Sequence, residues 1–129
     1  MSFLTSLPPT AEDTMAIVVT EVIGHNLCIA SEDGEKVCDR ITAAFNSGKK
    51  VMLSFRDTQE VTSAFLADAI GHLYALFPDE QIEENLTVVD IEPRDAADLK
   101  STIHWVKEYL KDPQRFKSAA QEAFGEDYE

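Results

Sequence analysis

Apolar residues change period repeatedly along this chain. Met15-Ala16-Ile17-Val18-Val19-Thr20-Glu21-Val22-Ile23 is nearly continuous and rich in β-branched side chains, which predicts a strand over 15–23. Gly24-His25-Asn26 reads as a turn, and Leu27-Cys28-Ile29-Ala30 as a short second strand. The apolar positions then open out to Val37, Cys38, Ile41, Ala44 and Phe45, one face of a helix over 32–47. Ser31 suits its N-cap, and Glu32, Asp33 and Glu35 suit its positive end. Asn46-Ser47-Gly48 stops it, with Lys49-Lys50 near its negative end. Val51-Met52-Leu53-Ser54-Phe55 predicts a central strand buried on both faces.

Past the polar loop Arg56-Asp57-Thr58-Gln59-Glu60, either Thr62 or Ser63 can cap a second helix. Its stripe is Phe65, Leu66, Ala69, Ile70, Leu73, Leu76 and Phe77, and Pro78-Asp79 ends it. Leu86–Ile91 reads as a strand. Pro93 opens a third helix whose stripe is Ala96, Leu99, Ile103, Val106 and Leu110. Gly71 in the second helix is unfavourable by about 1 kcal/mol against alanine, so a close neighbour is expected there. Trp105 and Tyr109 lie beside the third stripe; they widen the core face by packing against a short last helix, or form a sticky patch. That last helix is carried by Phe116, Ala119, Ala120, Ala123 and Phe124, ahead of an acidic tail.

Strands alternating with helices predict an α/β fold with a mostly parallel sheet. No internal repeat or linker appears. The chain divides into an N-terminal arm at 1–14, one domain over 15–112, and a C-terminal helix with its tail at 113–129.

A chain of 129 residues suffices for one self-sufficient core. The formal net charge of −13 repels phosphate backbones and anionic membrane surfaces, so neither nucleic acid nor membrane is an expected partner. It favours solubility and attracts basic protein surfaces. Cys28 and Cys38 sit among apolar neighbours without metal-ligand spacing and read as reduced core residues. No run approaches the roughly 20 apolar residues of a membrane span, and the N-terminus lacks the pattern of a signal peptide. The expected compartment is the cytoplasm.

The chemistry-bearing stretch is Thr62-Ser63-Ala64-Phe65-Leu66, followed by Ala69-Ile70-Gly71-His72-Leu73-Tyr74. On this run the chain resembles the bacterial STAS-like family of unassigned function, a relative of the anti-sigma-factor antagonist domains. The resemblance implies a four-stranded mixed, largely parallel sheet with helices mainly on one face. It also implies phosphorylation at the start of this helix, on Ser63 with Thr62 beside it. The implied partner is a histidine-kinase-like ATPase that acts as a serine kinase and is released by the modification. The antagonists carry an acidic residue before the hydroxyl pair and a glycine after it; here those places hold Val61 and Ala64, with Glu60 one step further back.

The expected function is therefore a non-catalytic regulatory interaction module, monomeric or weakly dimeric, without cofactor. Its partner surface is Arg56, Asp57, Thr58, Gln59, Glu60, Thr62, Ser63 and Ala64. Phosphate at that helix start adds about −1.5 to −2 charges at an interface, enough to disfavour an acidic or apolar partner. The other readings are a small-ligand or nucleotide site, or a cryptic enzyme, in a strand-end crevice near Arg56, Thr62 and Ser63, and an acidic decoy for a nucleic-acid-binding surface. No metal site is expected: His25, His72 and His104 lack ligand spacing, and Asp68 and His72 read as a surface helix pair. Neither a nucleophile elbow nor a phosphate-cradling glycine loop is present.

Overall fold

The computed structural model describes residues 13–112; the expected arm, last helix and acidic tail fall outside the described residues, apart from residues 13 and 14. The chain runs β1 (Thr14–Val18), α1 (Val19–Ile23), β2 (Leu27–Cys28), α2 (Ser31–Asn46), β3 (Lys50–Ser54), β4 (Glu60–Val61) and α3 (Ser63–Leu66). A π-helical turn (Ala67–Gly71) leads into α4 (Leu73–Leu76), then α5 (Asp79–Asn85), β5 (Leu86–Val89) and α6 (Pro93–Lys111).

The alternating pattern does produce an α/β fold with parallel pairing, but not one four-stranded mixed sheet. β1, β3 and β5 form a three-stranded parallel sheet in that order, with Ile17 opposite Leu53 and Leu53 opposite Val88. β2 and β4 form a separate two-stranded parallel pair, Leu27 opposite Glu60 and Cys28 opposite Val61. The cause lies in the β-branched run. Its second half turns into α1, which buries Val19 and Ile23 one turn apart and ends on Gly24 at φ 85. Burial at i and i+4 outweighs the strand propensity of those residues. The chain thus leaves the sheet edge before β2 begins.

Sheet order also explains the layering. Both crossovers step the same way across the sheet, and crossovers of one hand then lie on one face. α2 and the π-helical turn accordingly pack against each other over that face. Val51 and Leu53 point into this core, while Met52, on the opposite face, is 43 % exposed. The expectation that β3 is buried on both faces therefore fails among the described residues, whose helices cover one face and leave Met52 exposed on the other.

α2 matches the apolar stripe read from the sequence: Val37, Cys38, Ile41, Ala44 and Phe45 are all buried. Its N-cap is Ala30, not Ser31. The Ser31 hydroxyl instead donates to Asp68 Oδ2 at 2.6 Å, so Asp68 is turned to α2 and not to His72. The second predicted helix is one helical run over 63–76, widened by the π-helical turn. Leu76 lies at its exposed end. α5 carries one buried apolar residue, Ile82, and a single such position leaves no period to read.

α6 lies on the helical layer, packed mainly against α3, the π-helical turn and α4. None of its residues is fully buried; Leu99 and Ile103 meet the core edge. Gly71 explains the approach: a Cβ there would sit 2.9 Å from Val106 Cγ2. The close neighbour expected for Gly71 is thus α6.

Candidate functional site

Thr62 and Ser63 part company at the helix start. Thr62 holds an extended backbone, φ −101 and ψ 158, which lets its side chain reach forward. Its Oγ1 accepts from the Phe65 amide at 3.1 Å and donates to the Cys28 carbonyl at 3.4 Å. The Thr62 amide donates to the same carbonyl at 3.1 Å. Thr62 is the cap and the stitch to β2, so its hydroxyl is occupied. Thr62→Ala is expected to cost about 1 kcal/mol, read as a lowered denaturation midpoint; an unchanged midpoint would show that the cap carries no stability.

Ser63, the first helical residue, and Ala64 are both exposed. Among the described residues the Ser63 hydroxyl has no hydrogen-bond partner. The two residues open onto a groove of about 540 Å³ between this helix and α6. Ala64 and Ala67 form its near wall; Trp105, Val106 and Tyr109 form the far wall, with Ser101 and Thr102 toward one end. Trp105 is 56 % exposed and Tyr109 45 % exposed. The sequence placed these aromatics beside the core stripe but could not show that the facing wall is built of alanines.

Carboxylates stand close along the chain to both walls of the groove. Glu60 lies three residues before Ser63, and Asp98 one turn before Ser101 and Thr102. Burial, followed by Glu92, Asp98 and Glu60, pushes the Asp95 carboxyl above its usual range, against the opposing pull of Arg94.

The loop expected to share this surface is tied to other segments. Arg56 Nη2 donates to Glu21 Oε2 at 3.1 Å, Thr58 Oγ1 to the Phe55 carbonyl at 2.8 Å, and the Gln59 amide to the Asn26 carbonyl at 2.9 Å. Glu60 is held in β4. Asp57 adopts φ 64, a left-handed conformation that Asp tolerates. It borders a second, polar crevice with Thr20, Glu21, Gly24, His25 and Asn26. That crevice shares no lining residue with the Ser63 groove. Arg56 does not converge with Thr62 and Ser63. Behind the loop, Ser54 Oγ donates to Asp90 Oδ2 at 2.6 Å and accepts from the Arg56 amide at 3.2 Å.

His25 bridges two neighbouring segments. His25 Nδ1 accepts from the Leu27 amide at 3.1 Å, which leaves the proton on Nε2, donated to Asp33 Oδ2 at 2.9 Å. No local pattern announces this pairing across eight residues. Cys28 and Cys38 are buried free thiols. Burial, then the nearby Asp33 and Asp95, pushes Cys28 up to about 11, so it stays protonated. Among the described residues no His, Cys, Asp and Glu cluster can hold a metal ion, and no helix is long and apolar enough to cross a membrane.

Residues 33–96 match a family described as a STAS-like domain of unknown function. The match runs from the first turn of α2 to the first turn of α6 and takes in Thr62, Ser63 and the π-helical turn. It leaves out β1, α1, β2 and the part of α6 that lines the groove. No curated protein and no solved structure matches the chain.

Proposed function

Proceeding from the match of residues 33–96 to a STAS-like family, we propose a non-catalytic regulatory module that docks one protein partner over Ser63, Ala64 and the adjoining groove. Phosphorylation of Ser63 releases that partner. One observation carries the reading: Thr62 supplies the cap, which leaves Ser63 exposed and its hydroxyl without a partner among the described residues, at the mouth of an apolar groove.

The partner class is a histidine-kinase-like ATPase with serine kinase activity. Its ATP gives the terminal phosphoryl group to Ser63 Oγ, and the hydroxyl proton and ADP leave. Trp105 and Tyr109 suit the anchoring role, since large aromatics supply much contact area at interfaces. A phosphate at Ser63 adds about −1.5 to −2 charges where Glu60, Asp95 and Asp98 already lie, and must be desolvated if a partner covers it. The non-catalytic reading is supported by the state of the reactive groups: Cys28 is held as a thiol, and His25 Nδ1 is taken by a backbone amide. A nucleotide site beside Arg56 has less support, because Glu21 pairs with that guanidinium and the Asp57 carboxylate borders the same crevice.

The test is affinity purification with the full chain as bait, followed by titration of the recovered ATPase. Ser63→Asp is expected to weaken binding at least about tenfold, roughly 1.4 kcal/mol, with the fold unchanged by circular dichroism. Ser63→Ala should bind as wild type and resist release by ATP. Equal affinity of wild type and Ser63→Asp would refute the switch.

A further inference from the structure

We propose that the charge placed on Ser63 works by loosening α6, so that the far wall of the groove moves and the docking surface is lost from within the chain. The inference rests on the docking reading above and adds how the switch acts.

Three observations lead to it. First, α6 is the least embedded long helix: none of its residues is fully buried, whereas α2 buries seven. It rests on the helical layer, with Val106 packed over Gly71. Such an element is drawn from the low-stability end of a fold and can open without global unfolding. Second, the groove is made jointly by α6 and the helix that begins at Ser63. A displaced α6 takes Trp105, Val106 and Tyr109 with it. Third, the charge already present at the Ser63 end opposes any further anion. Glu92 is the N-cap of α6, Asp95 and Asp98 lie in its first two turns, and Glu60 acts on Asp95 from β4. Arg94 and Lys100 are the cations of that half of α6. The other two, Lys107 and Lys111, pair with Asp79 and Glu83 and with Glu108 at the opposite end.

A phosphate joined to Ser63 therefore meets a surplus of carboxylates across the groove. Each such pair is weak in water, but several act together, and they are felt most at low salt. The strain falls on the contact between α6 and the layer beneath, because the start of the Ser63 helix is fixed by the Thr62 cap and the β2 stitch.

The experiment is hydrogen exchange on the full chain at low ionic strength, comparing wild type, Ser63→Asp and Ser63→Asn, with fluorescence of Trp105, the single tryptophan of the chain. In Ser63→Asp the α6 amides are expected to exchange about three- to tenfold faster while those of α2 and β3 hold, and Trp105 emission shifts. Ser63→Asn, similar in shape and uncharged, should match wild type. Adding Asp95→Asn and Asp98→Asn to Ser63→Asp should return α6 exchange toward the wild-type rate. Unchanged α6 exchange in Ser63→Asp, equal acceleration throughout the domain, or the same effect in Ser63→Asn would each overturn the proposal. If Ser63→Asp loses the partner while α6 exchange holds, the switch stands and this mechanism for it falls. If α6 loosens and the partner still binds, the switch itself is what fails.

Discussion

Phe65→Ala is expected to lower the stability of the domain by about 3–5 kcal/mol, the range for truncating a large buried aromatic. Phe65 is completely buried, although it stands only two residues beyond the exposed Ser63. Its amide is the donor that Thr62 caps, and its carbonyl lies against Gly34 of α2. The ring is thus the peg that fixes the helix start to the core. A domain of this size holds about 5–15 kcal/mol in all, so the variant forfeits a large part of that margin. The check is urea denaturation: the midpoint should drop with little change in slope. A loss under about 1 kcal/mol would mean that the site collapses freely around the deletion and that Ser63 is presented by a softer support than the packing indicates.

Gly34→Val is expected to cost about 3 kcal/mol, at the upper end for overpacking a filled interior. A Cβ at position 34 would lie 2.8 Å from Asp68 Cβ and 3.0 Å from the Phe65 carbonyl oxygen. Both atoms belong to or adjoin the backbone of the facing helix, so neither can swing aside as a side-chain tip can. The helices must separate, which also strains the 2.6 Å bond from Ser31 to Asp68. Gly34→Ala should move the same way by a smaller amount, because alanine regains about 1 kcal/mol of helix propensity. Thermal melts of the two variants decide the matter. If Gly34→Ala raises the midpoint, propensity outweighs packing, and α2 does not lie as close to the π-helical turn as these distances require.

Both results depend on contacts that no local pattern announces. Gly34 sits in the first turn of an amphipathic helix, and nothing in Ser31-Glu32-Asp33-Gly34-Glu35 marks it as the point where another helix arrives. The partner of Gly34 lies some thirty residues away. Gly71 is different in kind: a glycine amid a strong apolar stripe costs helix propensity, so a close neighbour could be inferred from sequence, but not that the neighbour is Val106. The split between Thr62 and Ser63 follows the same logic. Either hydroxyl could cap, and the choice fell to Thr62 because β4, pairing with β2, brings the Cys28 carbonyl within its reach.

The chain alone determined what depends on neighbours along it. The apolar period of α2, the strand character of the run from Val51, the opening of α6 at Pro93, and a hydroxyl-bearing helix start followed by Phe65 and Leu66 are all local patterns. So is the resemblance to the STAS-like family, carried by a contiguous run. Tertiary structure alone decided where propensity gave way to burial, as at Val19–Ile23, which left the strand state to bury two side chains one turn apart. It decided that the loop at Arg56 and the helix start at Ser63 open onto different hollows, and that a wall of alanines faces Trp105 and Tyr109. The reason is one of range: backbone preference and side-chain period act over a few residues, whereas a groove, a shared face or a close helix crossing exists only once segments distant in sequence have been brought into contact.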